Sequence, residues 1–95
     1  MKNNSEEMKL IRMKIDQVDD KILPLMIKRS KLVEKALSLK KRQTEIVDKK
    51  RINEISKKIV KKTSKLGGNS KLLKSIWLSI IQNFIDYENQ EFKKK

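Results

Sequence analysis

Three basic residues occupy places where the helical repeat in the first part of the chain calls for apolar ones. A seven-residue spacing of buried positions gives three neighbouring columns on one helix face. The columns are Ile11, Val18, Leu25, Leu32 and Leu39; Met8, Ile15, Ile22, Arg29 and Ala36; and Arg12, Asp19, Met26, Val33 and Lys40. Like charges on one small buried face repel each other unless a ligand supplies the opposite charge. Arg12, Arg29 and Lys40 therefore predict a pocket for a small dianion.

A structural role for the same cations is the competing interpretation. Arg12 and Lys40 could extend to solvent along the apolar surface, because long basic side chains commonly do so. Arg29 could pair with a carboxylate, either Asp19 or Glu34, as a buried ion pair.

Two further charges favour the pocket. Arg51 lies near the start of a second helix, and Glu88 continues the stripe of Trp77, Ile81 and Phe84 on a third. Both positions are on faces expected to be inside. Cations in a desolvated, preorganised site can grip two carboxylates, hold a reactive conformer and stabilise charge as it develops.

The composition excludes most other catalytic chemistry. The chain has no cysteine and no histidine, which removes thiol nucleophiles, histidine dyads and the commonest zinc sites, and we expect no metal. A net charge of +13 permits nucleic-acid binding, but with only one Trp, one Tyr and two Phe no RNA-binding strand is indicated. No apolar run approaches the roughly 20 residues that span a bilayer, and residues 1–7 lack a signal-peptide core, so we expect a cytoplasmic protein.

The elements that must position these residues are helices, so we expect an all-α chain forming a single domain over residues 1–95. Spacing and capping residues predict helices over about 5–41, 48–66 and 70–92. Ser5 is the expected cap of the first, and Pro24 is expected to kink it without breaking it. Residues 42–47 are interpreted as a polar joint, and the closing lysines, 93–95, are expected to fray.

The sequence also predicts the ends and the buried apolar stripes of the second and third helices. Asp48 should cap helix 2 and Gly67 should end it, while Asn69 or Ser70 should cap helix 3. The expected buried stripes are Ile52, Ile55, Ile59, Val60 and Leu66 on helix 2, and Leu73, Ile76, Trp77, Ile80, Ile81, Phe84 and Ile85 on helix 3.

The length of the first helix points to a partner subunit. At about 1.5 Å per residue it extends roughly 54 Å, against roughly 27 and 35 Å for the other two. The shorter helices cannot cover an apolar stripe of that length from every side. We therefore expect a homodimer in which two long helices pack about a two-fold axis.

These features together resemble the all-helical, or type II, class of chorismate mutases. The resemblance covers about residues 8–90 and rests on Leu10-Ile11-Arg12, Ile15-Asp16, Val18-Asp19, Leu25-Met26, Lys28-Arg29, Lys40, Asp48, Arg51, Ile80-Ile81, Ile85 and Glu88. It implies an intertwined homodimer of three-helix chains with two active sites and no cofactor. The implied reaction is the Claisen rearrangement of chorismate to prephenate, in phenylalanine and tyrosine biosynthesis.

The resemblance also implies a role for each matching residue. Arg12 corresponds to an arginine that reaches into the partner's site and grips the enolpyruvyl carboxylate. Arg29 matches the arginine for the other carboxylate. Lys40 matches a lysine that contacts a carboxylate and the ether oxygen. Asp48 and Arg51 match the start of the second helix, which lines the site.

Three positions depart from the family pattern. Ile52 replaces a glutamate that holds the substrate hydroxyl, and Phe84 replaces a serine near one carboxylate. Glu88 replaces a glutamine that donates to the ether oxygen, so the acid must be protonated to do the same.

These departures leave alternative functions open. Ile52 and Phe84 together resemble the related isochorismate-pyruvate lyases, although those enzymes keep the amide that Glu88 replaces. An isochorismate-pyruvate lyase or an amino-chorismate mutase therefore remains an alternative. A non-catalytic basic helical protein that binds nucleic acid is the further one.

Overall fold

Three α-helices form the fold of the described residues, confirming the all-α class predicted from the sequence. The structure is a computed structural model that describes residues 4–95. Helix α1 spans Asn4–Leu39, a short 3₁₀ turn spans Gln43–Glu45, α2 spans Lys49–Lys65 and α3 spans Ser70–Phe92. The described residues contain no strand, and none of their helices is long and apolar enough to cross a membrane.

Helix α1 is continuous through Pro24, as predicted. Ser5 was the wrong choice of cap, because the helix already includes Asn4 and Ser5 is therefore inside it. Glu6 and Glu7 lie in the first turn, where carboxylates interact favourably with the helix dipole. The chain divides within this helix into two compact units, one reaching to Val33 and one comprising Glu34–Lys95.

The apolar columns of α1 are largely exposed in the single chain. In the unit that ends at Val33, the exposed apolar side chains include Ile11, Ile15, Val18, Ile22 and Leu25. In the second unit Leu39 is 77% exposed, whereas Leu37, which belongs to none of the three columns, is buried. The face of α1 that enters the core of this unit is therefore not the one with the strongest apolar repeat.

The core of the second unit lies where α3 meets the end of α1 and the joint. Its buried members are Leu37, Ile46, Ile81 and Ile85, and the partly buried Ile52, Ile55, Trp77 and Phe92 pack against them. The interpretation of residues 42–47 as a polar joint was wrong at one position. Ile46 is only 5% exposed and anchors the joint in the core.

Helices α2 and α3 pack against each other, and their ends are capped by local hydrogen bonds. The side chain of Asp48 accepts from the amide of Arg51, and that of Asn69 accepts from the amide of Leu72. Both are N-cap interactions that satisfy otherwise unpaired helix donors.

The end of α2 explains one wrong burial prediction. Gly67 has a φ of +78°, and the amides of Gly67 and Gly68 donate to the carbonyls of Ser64 and Thr63. This is the Schellman arrangement, in which a left-handed glycine ends the helix. Leu66 is the residue at which the helix stops, so its side chain falls outside the stripe and is 86% exposed.

Candidate active site

Glu88 is the one charged or polar residue that is buried among residues 4–95. It is 6% exposed and lies on the face of α3 that also carries Ile81 and Ile85. Burial of Glu88 follows the prediction from the apolar stripe. A carboxylate in such surroundings needs a partner, because leaving it uncompensated away from water is costly.

The partner of Glu88 is Lys40, the first residue after α1. Its Nζ donates to Glu88 Oε1 at 2.7 Å, and the two residues are separated by 48 positions in the chain. The Lys40 side chain is 23% exposed, so one side of the pair remains accessible to solvent. An ammonium has three donors, and the bond to Glu88 uses one, which leaves Lys40 able to bind an anion as well.

Backbone hydrogen bonds fix the chain around Lys40. The amide of Lys40 donates to the carbonyl of Leu37, and the Glu45 carboxylate accepts from the amides of Lys41 and Arg42. The bond from Arg42, followed by that from Lys41, lowers the pKa of Glu45 below its ordinary value of 4.5. Glu45 thus holds the turn that immediately follows Lys40.

The residues expected at the start of α2 are only partly in the positions predicted. Asp48 is exposed and uses its side chain to cap the helix. Arg51 is also exposed, so the prediction of an inward-facing Arg51 was wrong for the single chain. The reason is the register of α2: Ile52 and Ile55 are the residues turned toward the core, and Arg51 precedes them.

Ile52 and Phe84 are both half-buried. They are the apolar residues that stand where the resemblance led us to expect a glutamate and a serine. Ile52 packs against the core cluster of the second unit. Phe84 lies one turn before Glu88 on α3, where a polar residue was expected from the resemblance. Neither side chain offers a hydrogen-bond acceptor for a substrate hydroxyl.

Arg12 and Arg29 belong to the unit that ends at Val33. Arg12 is exposed and Arg29 is half-buried. Within the second unit, the structure brings Lys40 directly onto Glu88, and it joins Asp48 to the backbone of Arg51. The roles given to Arg12 and Arg29 stay predictions.

Several contacts around the site were not predicted from the sequence. Tyr87 donates to Glu34 at 2.9 Å, a bond that raises the pKa of the Tyr87 hydroxyl above its ordinary value of 10.0. Gln43 donates to Asn89 at 3.0 Å and so ties the joint to α3. Lys95 donates to two carbonyls at the end of α1. These pairs are far apart in sequence, and no periodic pattern marks them.

Comparison with known proteins matches most of the chain to one family model. Residues 11–89 match a family model described as chorismate mutase type II. No curated protein and no solved structure matches the chain. The match spans α2 and all but the ends of α1 and α3, so it includes Lys40, Glu88 and the turn between the first two helices.

Proposed function

The chain belongs to the type II chorismate mutase family, and from this we propose that it rearranges chorismate to prephenate, a step of phenylalanine and tyrosine biosynthesis. The observation that carries the proposal is the Lys40–Glu88 pair at 2.7 Å, in which Glu88 is buried and Lys40 is partly exposed. The reaction needs no proton relay and no nucleophile, which suits a chain without cysteine or histidine.

The chemistry is an isomerisation in which one bond breaks and one forms. The ether carbon–oxygen bond breaks while a new carbon–carbon bond forms, and no atom leaves the substrate. Negative charge builds on the ether oxygen as its bond to carbon lengthens. A donor already aimed at that oxygen stabilises the transition state more than the ground state, and Lys40 Nζ is proposed to be that donor.

The two carboxylates of the substrate are assigned to two arginines. In this proposal Arg29 binds one carboxylate, and Arg12 of the partner subunit binds the enolpyruvyl carboxylate. Guanidinium groups suit the task because they bind carboxylates with two parallel hydrogen bonds. Holding both ends of the substrate favours the compact conformer in which the reacting carbons meet.

A homodimer is proposed because the apolar columns of α1 lack cover in the single chain. Ile11, Val18, Leu25 and Leu32 recur at seven-residue spacing, and all four are exposed. An exposed apolar stripe this long is unusual for a monomer, and a heptad repeat is the pattern by which two helices pack. A second copy supplies a matching stripe.

A second candidate function has specific support from Ile52 and Phe84. Both side chains are apolar and have no hydrogen-bonding group that could hold the substrate hydroxyl. An isochorismate-pyruvate lyase binds the substrate carboxylates through the same kind of basic residues and lacks the glutamate that binds the hydroxyl. An amino-chorismate mutase would also bind its substrate through these basic residues.

Substrate assays distinguish these candidates. We expect purified protein to convert chorismate to prephenate and to release little pyruvate from isochorismate. Salicylate and pyruvate from isochorismate, with no prephenate from chorismate, would instead establish the lyase. Turnover of neither substrate would contradict both enzyme functions. The amino-chorismate candidate is supported only by turnover of that compound in a parallel assay.

The lack of a donor at position 88 is expected to limit activity. A carboxylate at Glu88 accepts from Lys40 but cannot donate to the ether oxygen, whereas an amide can accept from Lys40 and donate to the substrate. Glu88→Gln should therefore raise kcat for chorismate by about tenfold, the effect of one added hydrogen bond in the transition state.

The control for this prediction is Asp86→Asn, which makes the same change at an exposed acid on α3. It should leave kcat unchanged. A Glu88→Gln protein with the kcat of the unaltered protein would show that the side chain at position 88 does not limit the reaction.

A further inference from the structure

The carboxyl end of α1 lacks a cation of its own. The last turn of α1 contains no basic residue, although its carbonyls have no further helical partners and carry the negative end of the helix dipole. This end matters because Lys40 directly follows it. Whatever binds these carbonyls also sets the position of the Lys40 backbone.

Lys95 binds them from the other end of the chain. Its Nζ donates to the carbonyl of Leu37 at 2.8 Å and to the carbonyl of Lys40 at 2.9 Å. The Leu37 carbonyl also accepts the amide of Lys40 at 3.1 Å. One ammonium thus bridges the turn that begins at Leu37 and the peptide that follows the Lys40 side chain.

Lys95 is itself held in place, so the expectation that the lysine tail frays was wrong at this residue. The amide of Lys95 donates to the carbonyl of Phe92, and Phe92 packs against the core cluster. The Lys95 ammonium lies 4.9 Å from the centre of the Phe92 ring, within range of a cation–π interaction. The core therefore fixes Phe92, and Phe92 directs Lys95 to the end of α1.

We propose that Lys95 is a positioning residue for Lys40. Its ammonium locks the backbone on both sides of the Lys40 side chain and so keeps Lys40 Nζ within 2.7 Å of Glu88. The lock itself needs no substrate. Its consequence for catalysis rests on the proposed function, in which Lys40 stabilises the ether oxygen.

The neighbouring lysine provides a matched control. Lys94 is the same residue type one position earlier, and its ammonium forms an exposed ion pair with Glu91 three residues before it. Lys94→Met therefore removes a tail charge and leaves the bonds to Leu37 and Lys40 in place. Lys95→Met removes those bonds and keeps a side chain of similar length.

The first measurement is amide hydrogen exchange without substrate. Lys95→Met should speed exchange of the Lys40 amide by about tenfold, the effect of losing a charge-assisted hydrogen bond, while exchange in α2 stays the same. Lys94→Met should leave the Lys40 amide unchanged. Equal exchange rates of the Lys40 amide in the Lys95→Met and unaltered proteins would show that Lys95 does not hold the Lys40 backbone in place.

The second measurement separates kcat from KM for chorismate. Lys95→Met should lower kcat by about tenfold through misplacement of Lys40, with a smaller change in KM, and Lys95→Arg should restore part of the loss. Faster exchange with unchanged kcat would overturn the positioning role. If the unaltered protein turned over no chorismate, the proposed function would fail, and the exchange measurement alone would decide whether the lock exists.

Discussion

Replacing Lys40 by alanine should lower kcat for chorismate by about 100- to 1,000-fold, the usual loss when a preorganised donor to a developing oxyanion is removed. The reason is the position of the ammonium, which lies 2.7 Å from Glu88 with part of its surface accessible. Steady-state kinetics should show a smaller change in KM, because the donor acts most strongly in the transition state.

The Lys40 experiment must separate catalysis from stability. Lys40→Ala leaves Glu88 buried without its ion partner, and such an unpaired charge can destabilise a fold by several kcal/mol. The same substitution should therefore also be made in a Glu88→Gln protein, where no buried charge remains. We expect both versions to lose activity and the second to keep its melting temperature.

A matched control for Lys40→Ala is Lys41→Ala, at the exposed lysine that follows it. Its amide holds Glu45, and that bond survives the substitution. Lys41→Ala should retain near-normal kcat. Full activity in the folded Lys40→Ala protein would remove Lys40 from the mechanism.

Arg12→Ala should lower kcat/KM by about 100-fold, because a carboxylate of the substrate loses a charge-assisted pair of hydrogen bonds. Lys14→Ala, at another exposed basic residue of α1, should have little effect. The proposed location of Arg12 in the partner's site adds a second prediction. If Arg12 serves the partner's site, its loss can be complemented in a mixed dimer.

Mixing Arg12→Ala with Lys40→Ala subunits tests this assignment. In a mixed dimer one site combines the intact Lys40 of one subunit with the intact Arg12 of the other, and the second site carries both defects. Random pairing should restore about one quarter of normal activity, because half of the dimers are mixed and each has one intact site.

The alternative location gives a different result. If Arg12 served the site of its own subunit, every site in the mixture would carry a defect and activity would not recover. Sedimentation of the mixture at the assay concentration establishes that dimers are present. Absence of recovery in a dimeric mixture would contradict the assignment of Arg12 to the partner.

Much of the fold could be predicted because its signals are local. The cap at Asp48, the left-handed Gly67 and the cap at Asn69 each depend on a few neighbouring residues, and the helices begin and end near them. Burial of Glu88 also followed from helical spacing, since it continues a stripe with Ile81.

The burial of Leu37 and Ile46, which the sequence did not predict, has a tertiary cause. Leu37 and Ile46 enter the core because α1 ends and the joint returns toward α3, and neither fits the periodic face of a single helix. Arg51 is outside because the register of α2 turns Ile52 and Ile55 inward instead. Periodicity shows which face is apolar, but it does not show which apolar face meets which partner.

Two residues of the candidate site, Lys40 and Glu88, could be singled out from the sequence, but their contact could not. Lys40 and Glu88 each deviate from an apolar pattern, which drew attention to both, but their pairing joins positions 48 residues apart. The link from Lys95 to Lys40 spans 55 residues and starts in a segment that reads as a solvated tail. Such pairs depend on how helices return on one another, which spacing alone does not specify.

The most direct test of the central claim is the initial rate of prephenate formation from chorismate, measured with purified protein and compared with the same solution without protein. We expect prephenate to form in proportion to protein concentration, far above the uncatalysed rate, with no cofactor or metal added. A rate equal to that of the solution without protein would contradict the proposal that this chain is a chorismate mutase.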